Sequence, residues 1–155
     1  SSVGYWIPTG ANVDDPRGWL SNIDIARFLA NMPARQLLLV SDSCFSGSLT
    51  REGIAEEQRS GMSRNAILMR RSVVAMSSGG EEVVADSALD GHSPFTYHLL
   101  RQLQEAKGEI PARDMLLSIR DKVRKSSEGQ VPSYGIIMSS GHTSGGEYLL
   151  NPKTN

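Results

Sequence analysis

The only cysteine of the chain, Cys44, lies where an apolar run gives way to small polar residues. From position 37 to position 47 the segment reads Leu-Leu-Leu-Val-Ser-Asp-Ser-Cys-Phe-Ser-Gly. The run from Gln36 to Ser41 predicts a central strand of a parallel sheet that is covered on both faces. Ligands bind beyond the carboxyl ends of such strands, so a substrate can reach a thiol there. A free cysteine is alternatively a small buried apolar residue, but the Ser, Asp and Gly neighbours favour a nucleophile.

The rest of the chain alternates β-prone and helical patterns, which predicts an α/β domain. One helix is expected to begin at Ser21, with Asp24 in a capping box and an apolar stripe of Ile25, Phe28 and Leu29. Two more helices are expected where a proline occupies the first position. They begin at Pro94 after Ser93, with Tyr97, Leu100 and Leu103 on one face, and at Pro111, with Met115, Leu116, Ile119 and Val123 inward. Further β-prone stretches are Val3 to Ile7, Val73 to Ser77, Tyr134 to Met138 and Glu147 to Leu150.

Several stretches follow one another in an informative order. They are Asp42 to Gly47 around the thiol, Val73 to Ser78, Ser93 to Leu100, and the closing segments Gly129 to Pro132 and Gly141 to Gly146. In this order they resemble the caspase-like cysteine peptidases, and within that family the metacaspase-like bacterial branch. The resemblance implies an α/β, caspase-like layered fold whose mostly parallel sheet has helices on both faces. It also implies that Cys44 is the catalytic nucleophile.

The catalytic histidine of that family has no counterpart in this sequence. In caspases it lies ~50 residues upstream of the cysteine, whereas His92, His98 and His142 all follow Cys44. His142 has the chain order of papain-like peptidases, but those place their histidine ~130–150 residues after the cysteine. The resemblance therefore implies that residues 1–155 are the carboxyl-terminal part of a single caspase-like peptidase domain. Its expected partner is the amino-terminal half that carries the histidine, either as a separate chain or as preceding residues.

Asp42 predicts the substrate class. Strand side chains alternate, so Asp42 and Cys44 are expected to point to the same side. A carboxylate beside the scissile bond suits a basic residue before the cut, ideally arginine held by paired hydrogen bonds. The alternative is that Asp42 caps a neighbouring loop or helix. By resemblance Ser77 and Ser78 line the same cleft, and hydrogen bonding at the strand end is their alternative role.

The function predicted from these residues is a cysteine endopeptidase that cleaves after a basic residue, Arg or Lys. A cysteine needs a neighbouring base or positive charge to become the attacking thiolate, and the resemblance assigns that role to a histidine outside this chain. The alternative is an inactive caspase-like scaffold or protein-binding module. The presence of both Asp42 and Cys44 favours the enzyme, because a scaffold needs neither.

Residues 48–71 are predicted to be a mobile processing loop. The segment combines glycines with several arginines, and exposed flexible loops are preferred sites of proteolysis. An enzyme that selects arginine would find cleavage sites in it, and the candidates are Arg51, Arg59 and Arg64. The alternative is that these arginines form a solvated helix face.

Composition excludes some partners and favours one compartment. A formal net charge of -1 provides no field for nucleic acid or anionic lipid, and no apolar stretch approaches the ~20 residues of a membrane span. One cysteine agrees with a reducing, cytoplasmic location. No metal-ligand spacing is present, so no cofactor is expected. By resemblance to some family members Glu81, Glu82 and Asp86 are candidate calcium ligands, but an exposed acidic loop is the default interpretation.

Overall fold

The computed structural model describes residues 3–44, 49–50, 61–79, 90–127 and 129–151. Its helices are α1 (Asn22–Asn31), α2 (Arg64–Leu68), α3 (Pro94–Glu105) and α4 (Ala112–Ser126), with short 3-10 helices at Pro16–Gly18 and Met138–Ser140. Its strands are β1 (Tyr5–Trp6), β2 (Leu20–Ser21), β3 (Gln36–Cys44), β4 (Ser72–Gly79), β5 (Ile110–Pro111), β6 (Ser133–Ile136) and β7 (Leu149–Leu150). Among these helices none has the length and apolar character needed to cross a bilayer.

The central sheet has the strand order β3-β4-β6. β3 is parallel to β4, and β6 is antiparallel to β4, so the larger, mostly parallel sheet stays a prediction. β3 continues beyond the expected end at Ser41 and includes Cys44. Ser41 pairs with Ser77, and Cys44 pairs with Gly79. The chain therefore advances three residues along β3 but only two along β4 between these pairs. This β-bulge marks the end of the strand where the thiol was expected.

β4 supplies the core, because all of its residues are buried. Val74 and Met76 belong to a cluster that includes residues of α3 and α4. Val73 and Ala75 belong to a second cluster that includes residues of α1. Strand side chains alternate between faces, so each face of β4 packs against a different set of helices.

Two of the three predicted helix starts are confirmed, and the third is shifted by one residue. Ser21 accepts a hydrogen bond from the Asp24 backbone amide and the Asp24 side chain accepts one from the Ser21 amide, which is the expected capping box. Ser93 caps α3 and Pro94 follows at its first position. Pro111 is the N-cap of α4 rather than its first residue, a shift of one position that leaves the predicted inward face of α4 unchanged.

Two predicted core residues are wrong. Phe28 is 63% exposed, because the buried face of α1 is formed by Asn22, Ala26 and Leu29. Leu100 is 42% exposed, because α3 presents a different face to α4. Each turn of a helix offers neighbouring apolar positions about 100° apart, and only the tertiary contact decides which of them is covered.

The remaining strands form small pairs outside the central sheet. β1 pairs with β2, and β5 pairs with β7, both antiparallel. The two final β-prone stretches therefore join different sheets, since β6 pairs with β4. Within the segment predicted to be a loop, residues 64–68 form α2.

Arg71, just before β4, connects three parts of the fold. Its guanidinium donates hydrogen bonds to carbonyl oxygens at the end of α1 and beyond it, which are those of Leu29 (2.8 Å), Ala30 (3.3 Å), Met32 (3.2 Å), Ala34 (2.8 Å) and Ser140 (3.2 Å). The last turn of α1 has no basic residue of its own. Arg71 therefore supplies the positive charge that the carboxyl end of a helix favours.

Replacing Arg71 by methionine should lower the free energy of unfolding by about 2–4 kcal/mol, because five carbonyl oxygens lose a charged donor. Methionine keeps most of the aliphatic stem, so the loss reports mainly the guanidinium contacts. Urea denaturation of the parent and the variant measures it. The matched control is Arg70→Met, since Arg70 donates only to the Ala66 carbonyl, at 2.8 Å, among the contacts described. If both variants lost the same free energy of unfolding, Arg71 would have no special role in stabilising the end of α1.

Candidate active site

The candidate site is the carboxyl edge of the β3–β4 pair together with the first turn of α3. Cys44 is the last residue of β3, and its backbone pairs with Gly79, the last residue of β4. Because β3 and β4 are parallel, their carboxyl ends meet at one edge of the sheet, where open α/β sheets bind ligands. The thiol itself lies outside the described side chains.

Asp42 is exposed, and its carboxylate lies at the start of α3. Its Oδ2 atom accepts hydrogen bonds from the Ser93 hydroxyl at 2.5 Å and from the Thr96 hydroxyl at 2.6 Å. The structure thus brings Asp42 to a helix start and keeps it at the end of the sheet where β3 ends. Ser93, rather than Asp42, caps that helix. An acid at this place remains available to a charged ligand because it is exposed.

The relative direction of Asp42 and Cys44 stays a prediction. The hydroxyls of Ser41 and Ser43 are 2.5 Å apart, so they share one face of β3 and Asp42 occupies the other. The β-bulge then interrupts the pairing between Ser41 and Cys44. The regular alternation of strand side chains therefore cannot be used to place Asp42 and the Cys44 thiol on the same side of β3.

Ser77 and Ser78 are both buried, at 1% and 0% exposure. The Ser77 hydroxyl donates to the Gly79 carbonyl at 2.9 Å and lies 2.8 Å from the Ser133 hydroxyl. The Ser78 hydroxyl has no hydrogen-bond partner within the described part of the chain, while its carbonyl accepts from Gln130 at 2.6 Å. The contacts of Ser77 are those of strand-end hydrogen bonding, the alternative to a role in the cleft.

Of the candidate self-cleavage residues, only Arg64 is described. It is the first residue of α2, and its guanidinium makes a bidentate pair with Glu109, at 2.7 to 2.9 Å. Arg51 and Arg59 lie outside the described residues. The candidate calcium ligands Glu81, Glu82 and Asp86 lie outside them as well. In the described ranges no group of three or more His, Cys, Asp or Glu side chains is arranged to hold a metal ion.

His142 lies at the opposite end of the sheet from Cys44. It is 7% exposed, and its Nδ1 atom is 3.1 Å from the backbone nitrogen of Val73 and 3.2 Å from its carbonyl oxygen. Val73 pairs with Leu37, which is seven residues, or about 23 Å of strand, from Cys44. His142 is therefore a structural residue at the amino end of β4.

The other two histidines have different surroundings. The Nε2 atom of His98 lies 2.9 Å from the Ser126 hydroxyl, between α3 and α4. Burial, followed by the charges of Lys122 and Arg101, lowers the pKa of His98. His92 is exposed and lines an open surface depression of about 490 Å³ along α3. Neither has a described contact with Asp42 or the backbone of Cys44.

Two residues of the site were missed by sequence reasoning, namely the hydroxyl partners of Asp42. The sequence identifies Ser93 only as a helix cap, and it gives no indication of a role for Thr96. The available signal was the pair of hydroxyls spaced three apart at a helix start. That spacing indicates a cap, but the approach of the Asp42 carboxylate from a different element has no local sequence signature.

The family is decided by a match along most of the chain. The family model described as Caspase domain matches residues 4–140. The chain belongs to the caspase domain family. This membership confirms the resemblance to caspase-like cysteine peptidases and agrees with the mixture of helices and strands. No significant match is found among curated proteins or solved structures.

Acid should destabilise the protein through His142. Burial lowers the pKa of His142 below its ordinary value of 6.5, and the nearby Val73 carbonyl offsets this only in part. The unfolded chain therefore binds a proton more readily, so this contribution to stability is complete above pH 6.5 and is lost as pH falls toward the lowered pKa. One such proton gives a slope of up to about 1.4 kcal/mol per pH unit.

Urea denaturation between pH 7.5 and pH 5 checks this expectation. His142→Asn keeps a polar side chain near Val73 and should remove the His142 part of the slope. His98→Asn is the comparison, because the pKa of His98 is lowered too and it should remove a separate part. An unchanged slope in the His142 variant would show that this residue does not sense the pH.

Proposed function

We propose that this chain carries the nucleophile of a cysteine endopeptidase that cleaves after Arg or Lys. Membership of the caspase domain family supports cysteine peptidase activity in general. The position of Cys44 at the carboxyl edge of a parallel strand pair supports its role as nucleophile. The single cysteine supports a cytoplasmic location, where thiols remain reduced.

The exposed carboxylate of Asp42 is the observation that carries the substrate class. It lies two residues before the nucleophile and at the same edge of the sheet. An arginine or lysine side chain just before the scissile bond would be attracted to it, since hydrogen bonds between ionised partners are about twice as strong as neutral ones. An acidic side chain would be repelled. The proposed pocket therefore selects basic residues.

The proposed reaction uses Cys44 and a histidine from another part of the assembly. The histidine takes up the thiol proton, the thiolate attacks the substrate carbonyl, and the imidazolium then protonates the leaving amine. Water then releases the acyl group from the sulfur. The backbone amide of Cys44 is a candidate donor to the oxyanion.

The placement of the three histidines supports an external base. His142 is buried at the other end of β4, His98 is held by Ser126, and His92 lies on the surface along α3. Within the described residues β3 pairs on one side only. Val40 in this strand is 45% exposed, and an apolar strand with an open edge is suited to receive another strand. We propose that the strand carrying the histidine pairs there.

The test is hydrolysis of fluorogenic peptides by the natural full-length protein or complex. Cys44→Ala should lower kcat by at least about a thousandfold, because the nucleophile is lost. Asp42→Asn keeps an acceptor for α3 but removes the charge, and should lower kcat/KM for Arg and Lys peptides about 10- to 100-fold. The matched control is Asp121→Asn, an exposed acid on α4, with unchanged kinetics expected.

Two further variants test the external base. His92→Ala and His98→Gln should retain kcat/KM within about twofold, as expected for surface or packing residues. Loss of activity in either would place the base within this chain. If the Asp42 variant cleaves Arg peptides as well as the parent does, the pocket is elsewhere. A parent without peptidase activity would favour the scaffold function.

We also propose that the enzyme cleaves itself between β3 and β4. Arg64 is disfavoured as a cleavage site, because it lies in α2 and pairs with Glu109. A protease binds an extended backbone, so cleavage at Arg64 first requires local unfolding of the helix. The structure thus argues against Arg64, while Arg51 and Arg59 remain candidates from the sequence.

Intact-mass analysis of the purified active protein beside its Cys44→Ala form checks the proposed self-cleavage. Fragments ending at Arg51 or Arg59 should appear only in the active form. Glu109→Gln weakens the pair with Arg64 and should raise the fraction cut at that residue. A segment left uncut in both forms, or cut equally in both, would refute self-processing.

A further inference from the structure

The two oxygens of the Asp42 carboxylate are not equivalent. Oδ2 accepts from both Ser93 and Thr96. A carboxylate oxygen offers about two acceptor sites, so both sites on Oδ2 are occupied. Among the described contacts Oδ1 accepts no hydrogen bond, and Asp42 is exposed. The carboxylate therefore presents one oxygen to a ligand.

The two donors are held by the helix that carries them. The Ser93 hydroxyl accepts from the Thr96 amide at 3.0 Å while it donates to Asp42. The Ser93 carbonyl accepts from the Tyr97 amide at 2.9 Å, which closes the first turn of α3. Between them, Phe95 is 0% exposed and belongs to the cluster shared with α4. The core thus fixes the backbone from which both hydroxyls project.

We infer that Ser93 and Thr96 are positioning residues that hold Oδ2, so that Asp42 meets a basic substrate side chain through Oδ1 alone. This inference rests on the proposed function and specifies how its pocket distinguishes arginine from lysine side chains. A guanidinium forms its paired hydrogen bonds only when each carboxylate oxygen has a free acceptor site. With one oxygen free, an arginine loses that advantage over the compact ammonium of lysine.

The decisive variant is Thr96→Val, which removes one donor and keeps the shape of the side chain. It frees one acceptor site on Oδ2, so an arginine gains a second hydrogen bond and a lysine gains little. The parent should cleave Arg and Lys peptides with kcat/KM values within about threefold, and the variant should prefer Arg by about tenfold. Thr96→Ser retains the hydroxyl and should restore the parent ratio.

A purely structural role for Thr96 predicts a different result. If the hydroxyl served only to stabilise α3, Thr96→Val would lower kcat/KM for both peptides equally and leave their ratio unchanged. That outcome would overturn the inference. So would a parent that already prefers Arg by more than about thirtyfold, because such selectivity requires paired hydrogen bonds.

A binding measurement separates this inference from the proposed function. In the Cys44→Ala background, NMR titration with N-acetyl-arginine amide and N-acetyl-lysine amide reports binding at Asp42 without catalysis. Similar dissociation constants are expected, with Thr96→Val strengthening only the arginine complex. A protein that cleaves after basic residues but shows no such change refutes the positioning role alone. Basic amides that do not bind at Asp42, together with no cleavage after basic residues, refute both.

Discussion

The burial of β4 on both faces and along both edges is the constraint on which the rest of the structure depends. Its residues are all buried, with β3 on one edge and β6 on the other. A buried strand must have its backbone groups paired, so both neighbouring strands are required. Burial of side chains such as Val74 and Met76 stabilises the fold by roughly 1.5–3 kcal/mol each, and this requires a helix layer over each face. The core therefore determines the position of the carboxyl end of the sheet, where Cys44 lies.

The alternation of β3 transmits this constraint to the candidate site. Leu37 and Leu39 pack against the α1 cluster, whereas Leu38 packs against the α3 and α4 cluster. Asp42 has the same parity as Leu38, so its carboxylate reaches the first turn of α3. The pattern that sorts apolar side chains into two core layers also determines which helix Asp42 contacts. A shift of one residue in register would move Asp42 to the other face.

The two ends of β4 make different contacts. At its amino end Arg71 binds the end of α1, His142 contacts Val73, and the Gly146 backbone lies against Arg71, where an added Cβ would be 2.6 Å from the Arg71 carbonyl. These polar contacts hold the closing segment of the chain against the sheet. Beside the carboxyl end of β4 lie Cys44 and Asp42 of the neighbouring strand β3. The polar contacts around Arg71 and His142 therefore lie at the opposite end of the sheet from Cys44 and the exposed Asp42.

The sequence alone determined the features that depend on local chemistry. It located the β3 and β4 runs, the capping residues Ser21 and Ser93, and the resemblance to a family whose membership is confirmed. It placed Phe28 and Leu100 in the core wrongly, because several positions on an amphipathic helix are equally apolar and only packing selects among them. Tertiary structure also decided that His142 is structural and that Ser93 and Thr96 meet Asp42. These contacts join residues more than 50 positions apart along the chain, and no local pattern specifies such a meeting because it follows from the register and layering of whole elements.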